Sequence, residues 1–209
     1  MKFYWIKTHW IVKKLFRNFI WDIPVSTKTV FLTFDDGPTP EITEWVLDKL
    51  EQFNAKATFF CIGHNIATNR AIFEKILAAG HSIGNHTYNH MNGWKTPDDT
   101  YLKNVADCEN QMSTINSKLF RPPYGKLSRR QSKALLKENY KIVMWDVLSA
   151  DFDQSISKEK CLDNVLKNIR PGSVVIFHDS VKASENLKYA LPKTLQYLKD
   201  NGYNCEAIV

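Results

Sequence analysis

The stretch "TVFLTFDDGPTPEITEWVLDKLEQFNAKATFFCI", residues 29 to 62, decides the fold class. It has three parts. "TVFLTF" (29 to 34) is a short apolar run of strand-forming residues. "PEITEWVLDKLEQF" (40 to 53) places Ile42, Val46, Leu47, Leu50 and Phe53 at helical spacing, with a proline in the first turn where its missing N–H costs nothing. "KATFFCI" (56 to 62) is a second apolar strand. A strand, a helix and a strand in succession imply parallel pairing with the helix outside the sheet.

The same beat continues to the end of the chain. Helices are predicted over 65–80, 97–118, 128–140, 157–169 and 185–202, and strands over 81–85, 119–125, 141–147, 172–179 and 203–209. Gly80 stops the first of these helices, and Ser128 is placed to cap the third. Short continuous apolar strands fit a sheet buried on both faces. About seven such units without a linker predict one closed or nearly closed β/α barrel. The competitor is an open doubly wound sheet, but the glycine-rich dinucleotide fingerprint is missing after the first strand.

The 209 residues suit one domain, with 44% hydrophobic and 24% charged. No stretch approaches the roughly 18 apolar residues of a membrane span. Cys61, Cys108, Cys161 and Cys205 are far apart and form no Cys-x-x-Cys, so they are expected to be free thiols, which favours a reducing compartment. The formal charge is +6, and five basic residues (Lys2, Lys7, Lys13, Lys14, Arg17) fall within residues 1 to 21, which hold no acid. The rest is close to neutral, so no nucleic-acid partner is expected. Residues 1 to 28 are therefore read as a basic, aromatic segment packed on or leading into a domain over 29 to 209. The first 21 lack the h-region and cleavage site of a signal peptide. They are read as a leading helix covering one end of the domain, with peripheral contact to an anionic membrane as the alternative. The expected location is the cytoplasm or its membrane face, and the expected state a monomer.

In a β/α barrel the chemistry sits at the carboxyl ends of the strands. Five predicted strands deliver ionisable groups there: Asp35 and Asp36 after "TVFLTF", His86 and His90 in "HTYNH", Arg121 in "RPPYG", Asp151 after "KIVMWDV", and His178 after "GSVVIF". Two histidines four apart can share one face of a helical turn. With one carboxylate they form a facial set that binds a divalent metal and leaves positions open. Asp35 and Asp36 are both candidates for that carboxylate. Neighbours at a strand end point in opposite senses, so one can face the metal and the other a bound water, whose pKa falls toward ~7 and whose proton a carboxylate can take. Arg121 can keep that carboxylate ionised. His178, oriented by Asp151, can protonate a leaving group. The Tyr124 backbone N–H can serve an oxyanion. Together these outline a metal-assisted hydrolase acting on a carbonyl.

"TFDDGP", "HTYNH", "RPPYG", the Asp151 region and "IFH", in that order, resemble the polysaccharide deacetylase family, the NodB-homology domain of carbohydrate esterase family 4. The resemblance covers roughly residues 29 to 209. It implies a distorted (β/α) barrel of about seven parallel strands with outer helices. It also implies a divalent metal, zinc first with cobalt, nickel or manganese as alternatives, and removal of N-acetyl groups from an amino-sugar glycan. By position, Asp35 resembles the catalytic base, and Asp36, His86 and His90 the metal ligands. Arg121 resembles the arginine that tunes the base, Tyr124 the oxyanion amide, and Asp151 with His178 the assisted acid. The family's usual Asp-Trp is here Asp151-Phe152, and its Leu-x-His is Ile176-Phe177-His178. Both changes bear on substrate shape more than on reaction type. The same site could serve an O-acetyl esterase or a cyclic amide or ureide hydrolase. An aspartyl phosphatase usually wants Asp-x-Asp, and a glycan-binding module with a dead site would have lost a ligand or the base.

Overall fold

In the computed structural model, which describes residues 4–112, 115 and 117–209, strand β1 (Thr29–Asp35) is buried along its whole length. It pairs in parallel with β2 (Ala57–Cys61) on one side and β7 (Val174–His178) on the other. A strand flanked on both edges and covered on both faces has no polar side, which accounts for its unbroken apolar run. Further strands are β3 (Ser82–Asn85), β4 (Leu119–Phe120), β5 (Lys141–Ile142), β6 (Val147–Leu148) and β8 (Asn204–Cys205). The sheet runs β5-β4-β3-β2-β1-β7-β6, with β8 also on β1, and every pairing is parallel. Helices α1 (Trp10–Leu15), α2 (Ile42–Gln52), α3 (Gly63–Thr68), α4 (Arg70–Ala78), α5 (Asp98–Gln111), α6 (Arg129–Lys137), α7 (Lys158–Leu166) and α8 (Ser184–Asp200) surround it. Ser128 caps α6 as expected, accepting from the Gln131 N–H at 3.1 Å while the Gln131 side chain accepts from Ser128 N at 2.9 Å.

The two edge strands of this sheet, β5 and β6, are neighbours in sequence. Only residues 143–146 separate them, and so short a link reaches roughly 15–18 Å at full extension. The sheet must therefore curl until its edges approach, which makes it a half-barrel with a seam. The strand predicted over 141–147 is thus two strands on opposite edges. The run divides in its middle: Val143 N still donates to Phe120 O on the β4 side at 2.8 Å, while Asp146 N donates to Val174 O on β7 at 2.9 Å.

The N-terminal segment lies along that seam. Ile20 N donates to Ile142 O at 2.8 Å, and Met144 N to Ile20 O at 2.7 Å, on one edge. Leu148 N donates to Ile6 O at 2.8 Å, and Thr8 N to Asp146 O at 2.9 Å, on the other. Asp146, 2% exposed, receives Lys7 Nζ at 2.5 Å, Lys13 Nζ at 2.6 Å and Ser173 Oγ at 2.6 Å. Burial would raise the Asp146 pKa, but the two lysines and Ser173 hold it below the usual carboxylate value. Two of the basic residues thus work inside the fold, while Lys14 and Arg17 are exposed. The expected leading helix is confined to Trp10–Leu15, because the flanking residues spend their backbone groups on the sheet edges. Lys2 and Phe3 lie outside the described residues.

Strand β1 alternates between two apolar regions. Leu32 and Phe34 pack outward against the helices, where Phe34 stacks on Phe59 and Phe177. Phe31 packs inside with Phe60, Leu119, Val143, Val174 and Ile208, joined by Ile20, Ile23 and Val25 from the N-terminal segment. The helix predicted over 65–80 is two helices. It breaks at Asn69, whose side chain donates to Pro38 O at 3.1 Å, while Asn65 donates to Asp36 O at 2.7 Å. The helix predicted over 97–118 ends at Gln111, and positions 113, 114 and 116 lie outside the described residues. The four cysteines are free thiols, three of them buried.

Removing residues 1–21 should open the seam. It strips backbone partners from both edges and leaves Asp146 buried without its cations, a loss of about 3–5 kcal/mol for the ion cluster alone. For a chain of this size that is a fall of roughly 6–20 °C in melting temperature. An unchanged melting temperature would contradict the seam role.

Candidate active site

The parallel register sets the site. Asp35 stands directly beside His178 across the β1–β7 pairing, at the carboxyl end of both strands. Neighbouring strands are about 4.8 Å apart, so two ionisable side chains on the inner face share one cavity. That cavity, about 610 Å³, is lined by Asp35, Asp36, His86, His90 and His178, with Leu148 and Ile176 as part of an apolar wall.

Asp35 and Asp36 share the cavity by a different route from strand alternation. Asp36 has φ +82°, which breaks the strand and turns its carboxylate onto the side Asp35 already occupies. The next residue has no room for a side chain: a Cβ on Gly37 would lie 2.0 Å from Asp179 Oδ2. Asp179 clasps this turn, accepting from Gly37 N at 3.0 Å and from Thr43 Oγ1 at 2.6 Å, while its own N–H donates to Asp35 O at 3.0 Å. Burial pushes its carboxyl up to about 7, against the pull of the Thr43 hydrogen bond. Sequence reading did not single Asp179 out, since only the three-dimensional turn gives it partners.

The "HTYNH" stretch is a loop and not a helical turn. Thr87 and His90 have φ of +63° and +55°, which a helix does not allow. Buried Asn104 on α5 holds the loop, its Oδ1 accepting from Tyr88 N at 2.9 Å and Asn89 N at 3.0 Å. Asn85 Oδ1 accepts from Thr87 N at 2.8 Å. The two imidazoles still meet, with ring centroids 5.1 Å apart.

Each ring is turned by a partner on Nδ1. His86 Nδ1 lies 2.7 Å from Arg121 O, and His90 Nδ1 lies 3.1 Å from the Tyr124 hydroxyl. Both Nε2 atoms then face Asp36 Oδ1, at 3.7 Å from His86 and 3.2 Å from His90. Outer partners of this kind fix the tautomer and aim of metal-binding imidazoles. The Tyr124 hydroxyl is a contact that the motif did not foretell.

Three observations show that this set fits a divalent cation. One atom from each of Asp36, His86 and His90 lies within 4.8 Å of the other two. Asp36 Oδ1 is buried yet accepts no aligned hydrogen bond among the described residues. The protonation states also suit. Burial lowers His86 to about 4, so it is neutral near pH 7. Burial would raise Asp36, but His90, His178 and His86 hold it well below the usual carboxylate range. Neutral imidazole and ionised carboxylate are the ligand forms.

Asp35 Oδ1 accepts from Arg121 Nη1 at 2.7 Å, and its Oδ2 lies 3.8 Å from His86 Nε2. Arg121 is 0% exposed and also donates to Thr33 Oγ1 at 2.7 Å, Val143 O at 3.1 Å and Met144 O at 2.8 Å. Across the cavity, Asp151 Oδ1 lies 2.7 Å from His178 Nδ1, and its Oδ2 accepts from His178 N at 2.7 Å. Burial works against a charge on His178, but Asp151 outweighs it and the pKa rises to about 9. Phe152 sets its edge against that ring, with centroids 5.1 Å apart. All eight predicted site residues therefore gather at one end of the half-barrel.

Comparison with known proteins agrees with this geometry. The polysaccharide deacetylase family model matches residues 22–143. The chain is similar to two peptidoglycan-N-acetylglucosamine deacetylases of Bacillus cereus. One is 37% identical over 202 residues, covering 95% of this chain and 72% of the relative. The other is 34% identical over 186 residues, covering 88% and 87%. A crystal structure of a peptidoglycan N-acetylglucosamine deacetylase superposes with a TM-score of 0.86 at 36% identity, covering 91% of each chain. The fold and site define a hydrolase of the carbohydrate deacetylase class, with the distorted half-barrel of that class. The chain belongs to the polysaccharide deacetylase family, whose reaction removes N-acetyl groups from glycans by C–N bond hydrolysis.

The His178–Asp151 contact makes a direct prediction. In metal-free protein, nuclear magnetic resonance titration of His178 should give a pKa of about 9. In Asp151→Asn, burial remains and the carboxylate is gone, so the value should fall below the ordinary ~6.5. A His178 that titrates alike in both proteins would refute the coupling.

Proposed function

We propose that this protein hydrolyses the N-acetyl group of N-acetylglucosamine units in a peptidoglycan-type glycan, with a divalent metal held by Asp36, His86 and His90. The observation that carries the reading is the convergence of those three ligand atoms beside Asp35, with His178 on the neighbouring strand. Zinc suits two imidazoles and one carboxylate, and cobalt, nickel or manganese can take the same set.

When bound, the cation supplies Lewis acidity to the acetyl carbonyl and to the attacking water. The chain's residues supply the rest. Asp35, oriented by its hydrogen bond from Arg121, takes a proton from the water as the water's oxygen bonds to the carbonyl carbon. Tyr124 lines the cavity with φ +59°, and its backbone N–H would support the charge that develops on the carbonyl oxygen. The C–N bond then breaks, its electron pair stays on nitrogen, and His178 gives that nitrogen its proton. Acetate and a free amine leave. The acetyl methyl rests on Leu148 and Ile176.

The raised basicity of His178 favours an amide over an ester. An amine leaves poorly unless protonated, and an acid that remains charged to pH about 9 meets that need. The exposed Trp10 and Leu15, beside exposed Lys14 and Arg17, support peripheral contact of the N-terminal segment with an anionic membrane.

The test is acetate release from N-acetylglucosamine oligomers and from peptidoglycan. Asp35→Asn should lower kcat by about 10²–10⁴-fold, the usual weight of a general base, while still binding zinc. A variant that keeps the wild-type rate would overturn the assignment of Asp35.

A further inference from the structure

The catalytic cavity does not end at the metal-ligating residues. It shares Tyr4, Pro122, Tyr124, Trp145 and Leu148 with a second cavity of about 620 Å³. That volume lies within the range that takes a ligand of disaccharide size. One side of the second cavity is built by the N-terminal segment through Trp5 and Trp21, and the other by Trp94, Lys126 and Trp145. The two cavities adjoin along these five residues, and the reacting groups line the first.

We propose that this second cavity is a binding region for neighbouring sugar units of the same glycan chain, built jointly by the N-terminal segment and by Trp94 and Lys126. The inference rests on the deacetylase reading and extends it to a length of polymer. A pyranose ring presents an apolar face of C–H bonds and a rim of hydroxyls. Such a face is matched by an aromatic ring held rigidly and left open to solvent. Trp94 is 66% exposed and Trp5 51% exposed, which is costly for so large an apolar surface unless it has a partner. Trp94 is also fixed in place. Its indole N–H donates to Leu127 O at 3.1 Å, and Lys126 Nζ sits 3.9 Å from its ring centroid. The Trp21 indole donates to Phe16 O at 3.1 Å. Both indoles have spent their N–H on the protein, and Trp94, with Lys126 on one face of its ring, remains largely open to solvent.

Continuity selects the occupant. A sugar whose acetyl group reaches the ligand set carries its glycosidic neighbours with it, and the shared wall leads them into this cavity. The occupant is therefore the next part of the substrate rather than a separate molecule. The seam-filling segment then has two roles, closing the sheet and lengthening the cleft.

The test compares N,N′-diacetylchitobiose with the N-acetylglucosamine hexamer in wild type, Trp5→Ala, Trp94→Ala and the double variant. Both side chains are exposed and neither touches the catalytic groups, so the variants should fold. Expected are a KM for the hexamer at least tenfold higher in the double variant, an unchanged kcat, and a dimer kcat/KM within threefold of wild type. Calorimetric titration of the hexamer onto Asp35→Asn protein, with and without the two tryptophan changes, reads the same loss without turnover. Undiminished hexamer affinity would overturn the proposal, as would equal losses on dimer and hexamer. Loss of binding to anionic vesicles with unchanged hexamer kinetics would overturn it in favour of a lipid-facing surface. Acetate release from the dimer by wild type reports separately on the deacetylase reading.

Discussion

One guanidinium group holds this structure together at the place where it also does its chemistry. Arg121 is fully buried and reaches three parts of the fold at once. Its Nη1 binds Asp35 and Thr33 on the central strand, Nε and Nη2 take the carbonyls of Val143 and Met144 in the seam, and its plane lies 4.1 Å from the Phe60 ring centroid. A lysine has one point of charge and could not serve these directions together. Removing one member of a buried ion pair costs about 3–5 kcal/mol, because the other is left uncompensated. The curl of the sheet and the placement of Asp35, the proposed base, thus depend on the same side chain. Its carbonyl oxygen lies against Nδ1 of His86, which extends that dependence to the candidate ligand set.

Around this tie the site is assembled by departures from regular backbone. Asp36, Thr87, His90, Tyr124 and Ala150 all have positive φ, and all follow the carboxyl ends of strands. Each such residue costs on the order of 1–3 kcal/mol and persists only where its surroundings hold it. Here the holding contacts are specific: Asp179 clasps the turn after Asp36, Asn85 and Asn104 fix the loop from His86 to His90, and Asn65 pins the Asp36 carbonyl. The rigid part of the fold is the packed apolar barrel beneath, where Phe34, Phe59 and Phe177 stack and Phe31 and Phe60 fill the interior.

Much of this was legible in the sequence, and the reason is local. The alternation of apolar runs with helical spacing identifies β1, α2 and β2 within a residue or two, because burial on both faces dictates residue type. Delivery of polar residues by five of the strands identifies the reacting end, because parallel strands all point the same way. What was not legible depends on distant contacts. The run over 141–147 reads as one strand, and only the curl of the whole sheet assigns its halves to opposite edges. The "HTYNH" spacing fits a helical turn, yet Asn104, from another element, makes it a loop. Lys7 and Lys13 read as a solvated face until Asp146 is brought beneath them. Asp179 has no recognisable partner in sequence, since Gly37 and Thr43 lie more than a hundred positions away.

Deacetylation is proposed to depend on one metal ion held by Asp36, His86 and His90. Stepwise addition of zinc to chelator-treated protein, with acetate release from N-acetylglucosamine oligomers followed in the same sample, tests it most directly. Activity should rise linearly and stop at one equivalent, and Asp36→Ala should show neither the rise nor the break. Full acetate release from metal-free protein, or one equivalent of zinc bound at these residues without any release, would rule out that dependence.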